Sequence, residues 1–157
     1  MIYLIALIVA AAVVLIVSRQ LRKKREYALL SERVHGSKDC YAFLIDRQFK
    51  VKETNFYELN DHIRDDQPYV LGNVLQCQNA CDSGLCGTGM ACAECPIRMV
   101  INNSFREKRN FDNIAASMQL YDDQHQVRQV DVIADGELVS IGDEPHFFIT
   151  VRKVSNN

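Results

Sequence analysis

Tyr41-Ala42-Phe43-Leu44-Ile45-Asp46-Arg47-Gln48-Phe49-Lys50-Val51-Lys52-Glu53-Thr54-Asn55 is the stretch on which the fold turns. It opens with a continuous apolar run of aromatic and branched side chains, as a buried strand requires. Arg47 and Gln48 supply a turn. Phe49 to Asn55 then alternates at first, as the second strand of a hairpin does. From Phe56 to Asp66 the pattern becomes short helical turns, punctuated by Pro68 and Gly72.

Further on, Pro96 opens the clearest helix, because proline's missing N–H would be unpaired at that position anyway. Ile97, Met99, Val100, Ile101 and Phe105 give it an apolar face, and Arg106 to Arg109 a basic end suited to the helix dipole. Three strand-like runs follow, Phe111 to Tyr121, Val127 to Val139 and His146 to Val154. Asp122-Asp123-Gln124 and Gly142-Asp143-Glu144-Pro145 supply the turns between them. Two strands, short helices, one longer helix and three strands make an α+β domain. Its expected core is a five-stranded antiparallel sheet with the Pro96 helix across one face.

In the other direction lies a membrane signal. Ile2 to Val17 is apolar throughout, and Arg19, Arg22, Lys23, Lys24 and Arg25 follow at once. Sixteen helical residues span about 24 Å, and the first arginines can snorkel to complete the crossing. A secretory leader would carry its basic residues before the apolar run, so the segment reads as an uncleaved anchor. The basic cluster then places everything after Arg19 in the cytoplasm, on the inner membrane, in a single-pass arrangement. Residues 1–18 form the anchor, 19–37 a basic juxtamembrane helical linker, and 38–157 the cytoplasmic domain. Residues 19–26 sum to +4 and the whole chain to −2, which leaves −6 on residues 27–157. That acidic balance argues against nucleic acid as a partner, and the basic flank suits the lipid bilayer.

Chemistry concentrates in Cys77-Gln-Asn-Ala-Cys81-Asp-Ser-Gly-Leu-Cys86-Gly-Thr-Gly-Met-Ala-Cys92-Ala-Glu-Cys95-Pro96. Packing does not ask for five cysteines in a glycine-rich loop, whereas soft-metal ligation and thiol redox chemistry do. A cytoplasmic location argues against structural disulfides. Cys77, Cys86, Cys92 and Cys95 suit a zinc ion or an iron–sulfur cluster, with Cys81 able to stand in for Cys77. A reversible redox pair and unliganded packed thiols remain alternatives. Glu94 opposes a thioredoxin-like use of Cys92 and Cys95. Cys40 reads as an ordinary packed thiol, His62 as a solvated helix residue rather than a haem ligand, and His146 as a strand-edge residue. The acidic groups Asp61, Asp65 and Asp66, and Asp122 and Asp123, lie in hydrophilic sequence. No nucleophile elbow, phosphate loop or zinc-protease helix is present, so nothing points to an enzyme.

On several of these residues the chain resembles the PAS sensor-domain superfamily, over roughly residues 38–155. The opening Phe43-Leu44-Ile45-Asp46 with Val51 and Asn55, the middle Gly72, and the ending from Glu137 to Ser155 carry the likeness. A subset of bacterial PAS domains has a Cys, then Cys-Gly-Thr, then Cys-x-x-Cys before the long helix. Here that pattern falls on Cys77, on Cys86-Gly87-Thr88, and on Cys92 with Cys95. The resemblance implies a sensory or protein-interaction module, partnered by a signalling protein or by a second copy as a PAS homodimer. No kinase motif, output helix or DNA-binding unit is read, so the expected module has no output domain of its own. A membrane-tethered iron–sulfur electron-transfer protein is the alternative.

Overall fold

The computed structural model describes residues 2–60 and 69–154. The first element, α1 (Ile2–Gly36), is one 35-residue helix that runs through both the apolar segment and its basic flank. It carries no glycine or proline before Gly36, so nothing breaks it earlier. Among the described residues it is the one helix long and apolar enough to cross a membrane, and its apolar stretch packs against nothing in the chain.

The domain that follows is a five-stranded antiparallel sheet in the order β2-β1-β5-β4-β3. These are β1 (Tyr41–Ile45), β2 (Val51–Thr54), β3 (Phe111–Tyr121), β4 (Val127–Ile141) and β5 (Glu144–Lys153). Between β2 and β3 run the short helices α2 (Phe56–Leu59), α3 (Leu71–Val74) and α4 (Gln78–Asp82). A 3-10 turn (Met90–Glu94) and the long helix α5 (Pro96–Glu107) complete that segment. The expected succession of elements along the chain, the five-stranded antiparallel sheet and the α+β class are those observed.

One row of the register shows how the core forms. Thr54, Phe43, Ile149, Gly136 and Phe111 are successive partners across all five strands. The Phe111 ring fills the space that a side chain at Gly136 would need. Phe147 lies beside it, edge-on to Phe105 of α5 at 4.5 Å between ring centres. Ile97, Ile101 and Phe105 fasten α5 to this inner face, together with buried Phe43, Phe147 and Ile149.

Local details depart from the sequence expectations for physical reasons. Phe49 belongs to the β1–β2 turn, with a left-handed φ of 63°, and its side chain is buried. The Asp46 carboxylate accepts the N–H groups of Gln48 at 2.9 Å and Lys50 at 3.0 Å and so fixes that turn. The β4–β5 turn is tighter than expected, closing at Ile141 and Glu144 with a left-handed Gly142. His146 is not an edge residue, because β5 lies between β1 and β4, and it is buried. On α5, Met99 faces solvent and Ser104 is buried, because the inward face is centred on Ile97, Ile101 and Phe105.

The basic linker is itself part of the fold. Leu30 and Val34, one turn apart on α1, pack on the outer sheet face against Ala42, Leu44, Ile141 and Phe148. Arg22 pairs with Asp143 at 3.3 Å and Lys23 with Glu144 at 3.2 Å, both across the β4–β5 turn. Arg33 pairs with Glu137 at 2.6 Å. Tyr27 donates to Glu53, and burial followed by that hydrogen bond pushes its phenol up to about 12. Burial would lower the His35 imidazole, but its contacts with Glu53 and Glu58 outweigh that and raise its pKa. The sheet is thus covered on both faces, by α1 outside and by the α2–α5 segment inside.

Candidate functional site

The cysteine loop is held by the inner helices. Helix α3 is wholly buried, and Gln76, with a left-handed φ of 60°, turns the chain out of it. The Cys77 N–H then donates to the Gly72 carbonyl at 2.8 Å. Cys77 caps α4, where its carbonyl accepts from Ala80 at 3.0 Å and Cys81 at 2.9 Å. Helix α4 is tied to the sheet by Tyr121, whose N–H donates to Gln76 at 2.8 Å and whose hydroxyl donates to Asp82 at 2.7 Å.

Asn73 organises the loop from below. It is fully buried. Its side-chain oxygen accepts the Cys86 N–H at 2.8 Å, and its amide donates to the carbonyls of Gly84 at 3.3 Å and Ala80 at 3.5 Å. Left-handed Gly84 and Gly87 bracket Cys86, conformations that a side chain would strain. Cys92 is buried in the 3-10 turn, and Cys95 caps α5 beside Pro96.

These placements bring the expected site residues into one neighbourhood. Burial pushes the Cys77 thiol up, against N–H groups of Ala80 and Asn79 that favour its charged form, and Cys86 and Cys95 add repulsion. Burial likewise raises Cys86, opposed by the Gly72 backbone and Arg98, with Cys92 adding repulsion. Cys81 is raised by burial and then by Cys77. Cys77 thus feels charge on Cys86 and Cys95, Cys86 feels charge on Cys92, and Cys81 feels charge on Cys77. All six cysteines are free thiols. Among the described residues, no three Cys, His, Asp or Glu side chains converge closely enough to hold a metal ion as they stand. Cys40 lies apart, with burial raising its thiol and Arg152, Asp39, Ser37 and Asp135 as its neighbours. His62, with Asp61, Asp65 and Asp66, lies outside the described residues.

Two residues of this site carry no cysteine signal. Asn73 interrupts the apolar run Val70-Leu71-Gly72-Asn73-Val74-Leu75, and a polar residue in such a run marks a buried hydrogen-bonding role. Arg98 follows Cys95 by three, on the same helix face. Its guanidinium lies 3.8 Å from the Cys86 sulfur and 4.3 Å from the centre of the Phe49 ring.

Gly72 gives a direct test of how tightly this loop packs. A methyl group there would lie 2.6 Å from the Cys86 sulfur and 3.0 Å from its Cβ. Gly72→Ala is expected to displace Cys86 and to cost about 1–3 kcal/mol through overpacking. Urea unfolding of the detergent-solubilised chain measures this, and an unchanged midpoint would show that the loop absorbs the methyl.

No family model and no curated protein matches the chain. Solved structures do. A PAS domain from Desulfitobacterium hafniense is 13% identical over 75% of this chain and 95% of its own, with a TM-score of 0.46. A PAS domain of an HTR-like protein from Haloarcula marismortui is 11% identical over 87% of this chain and 98% of its own, at 0.41. A chain of the Escherichia coli DhaR(N)–DhaL complex is 16% identical over 95% of this chain, at 0.40, and this chain spans 41% of its length. The opening hairpin β1–β2, Gly72 in the middle helices and the closing strands β4 and β5 stand where the resemblance read from the sequence puts them, in one five-stranded antiparallel sheet. The fold is PAS-like.

Proposed function

We propose that this chain is a membrane-anchored sensory or protein-interaction module whose input is the cluster Cys77, Cys86, Cys92 and Cys95. The observation that carries this reading is that the cysteine loop and α1 pack on opposite faces of one sheet. A change of packing at the loop reaches α5 directly through Cys95, and the sheet lies between that loop and the helix leading to the bilayer. The basic flank of α1 orients the module with its domain in the cytoplasm.

Thiolate is the ligand type that a thiophilic ion takes, and that chemistry supports a metal input at this loop. Cys77 is repelled by charge on Cys86 and Cys95, and Cys86 by charge on Cys92, while backbone N–H groups face Cys77 and Cys86. The four side chains would have to turn toward one point to ligate, releasing their protons as they do. A bound zinc would lock the loop, and an iron–sulfur cluster would add a change of charge with redox state. The N–H groups directed at Cys77 and Cys86 favour the second reading, an electron-transfer protein, because such contacts tune cluster potentials.

Metal analysis of the full chain, purified in detergent without oxygen, tests the input. The expected result is about one zinc, or iron with sulfide, per chain. Cys92→Ser and Cys95→Ser should lose it, and Cys40→Ser should keep it. A brown protein favours electron transfer and a colourless one the sensory reading. Wild-type protein without metal, whose thiols titrate as free, overturns the metal reading. The redox alternative then requires a reversible disulfide among these same cysteines.

A further inference from the structure

We propose that His35 is a proton-dependent latch, which joins the last turn of α1 to β2 and α2 when its imidazole is charged and loosens that joint when the imidazole is neutral. No cysteine takes part in it, and it stands whether or not the cysteine loop carries a ligand.

The geometry requires two protons on one ring. His35 lies in the last turn of α1, and its two nitrogens meet carboxylates from two different elements. Nδ1 lies 2.5 Å from Glu58 Oε1 of α2, and Nε2 lies 3.2 Å from Glu53 Oε2 of β2. An ionised carboxylate only accepts hydrogen bonds, and a neutral imidazole carries a single N–H. Only the imidazolium donates to both partners. Loss of one proton turns a ring lone pair toward a carboxylate oxygen, and one arm of the joint opens. Burial alone would lower the imidazole, but its contacts with Glu53 and Glu58 prevail and hold it above the ordinary value of 6.5.

The surroundings leave the titration to this one ring. Among the described residues, the charges felt by His35 are those of Glu53 and Glu58. The other Glu53 oxygen accepts from Tyr27, two turns earlier on α1. That phenol is pushed up to about 12, so it keeps its proton throughout the neutral range. Arg33 of α1 is engaged with Glu137 of β4, and Lys52 of β2 with Asp46 at 2.8 Å. Strand β1 contains no charged residue.

The sign follows from the raised value. The latch contributes fully below about 6.5, where the imidazole of an unfolded chain is also charged, and is lost as pH rises through the higher value in the fold. Leu30 and Val34 do not titrate, so their apolar contact with the sheet is present in both states. What changes is the grip of the last turn of α1 on β2 and α2. Helix α2 opens the segment that covers the inner face, so the joint links the outer cover of the sheet to the start of the inner one.

The test uses the full chain in detergent between pH 6 and 9. The His35 ring is titrated by NMR, and amide exchange of residues 33–37 and 56–59 is read relative to the intrinsic rate at each pH. The ring is expected to titrate above 6.5. Protection of both segments should fall by about 2- to 10-fold as it deprotonates, the scale of one or two exposed ion pairs. His35→Gln should show the low protection at every pH. His35→Arg, charged throughout, should show high protection at every pH. Titration of the ring at or below about 6.5 overturns the latch. So does protection that does not change as the ring titrates, because the charge would then not govern the joint. A wild-type pH dependence retained in either variant assigns the effect to another group and overturns it as well.

Discussion

Asn73→Ala is expected to dismantle the cysteine loop while leaving the sheet in place. One amide makes three contacts, accepting from Cys86 and donating to Gly84 and Ala80. Alanine leaves one N–H and two carbonyls without that partner, in a region where Asn73 itself is fully buried. Each buried polar group left unsatisfied costs about 1–3 kcal/mol, less where water can enter. The two longer contacts place the total at the low end of the summed range, about 3–4 kcal/mol. That is a large share of a typical domain's stability of about 5–15 kcal/mol. Asn73→Asp should be no milder. It keeps the acceptor for Cys86 but turns both donor contacts into repulsion between oxygens. Urea unfolding and the reaction rate of Cys86 with a thiol reagent measure the effect. A wild-type midpoint together with an unchanged thiol rate would show that the loop does not depend on Asn73.

The sequence made the hairpin, α5 and the three final strands legible because each has a local signature. Tyr41 to Ile45 is apolar without interruption, and Pro96 marks a helix start. Some information in β1 was available but easily missed. A strand with one face in water alternates, whereas Tyr41 to Ile45 does not, so both its faces must be covered. Leu30 and Val34 of α1 provide the outer cover. Their spacing of four is a helix-face signal, but it is short and set among charges, so locally it reads as a connector. His146 escaped for a different reason. Whether a strand is central depends on which strands flank it, and here β1, distant in sequence, supplies one side. The cysteines were legible as a group because five of them share one loop. Asn73 and Arg98 were not, since each acts through a contact set by tertiary packing. Their types and positions matter only once α3 and α5 are known to embrace the loop.

Val34→Asp should release α1 from the outer face of the sheet. Val34 is fully buried between Leu30 and the apolar residues of β1, β4 and β5. Among the described residues the neighbouring cation, Arg33, already pairs with Glu137 and is not free for a carboxylate there. Burying it unpaired costs about 3 kcal/mol or more, and detachment of the helix avoids that cost. The other ties of α1, among them Tyr27 to Glu53, His35 to Glu53 and Glu58, and Arg33 to Glu137, are polar contacts at or near the surface and do not replace this apolar one. The Arg22–Asp143 and Lys23–Glu144 pairs are largely exposed, and such pairs contribute about 0–1 kcal/mol each. The inner core around Phe43, Phe147 and Ile149 does not involve Val34 and should persist. Trypsin digestion of the full chain in lipid nanodiscs reads the change, because Arg25 and Arg33 lie in the segment that would detach. Cleavage there should accelerate in Val34→Asp, with the domain after Tyr41 surviving as a folded fragment. Leu29→Asp is the control, since Leu29 is 55% exposed on the neighbouring face of the same helix. Equal cleavage of the two variants would mean that the apolar contact of Val34 does not hold α1 to the sheet.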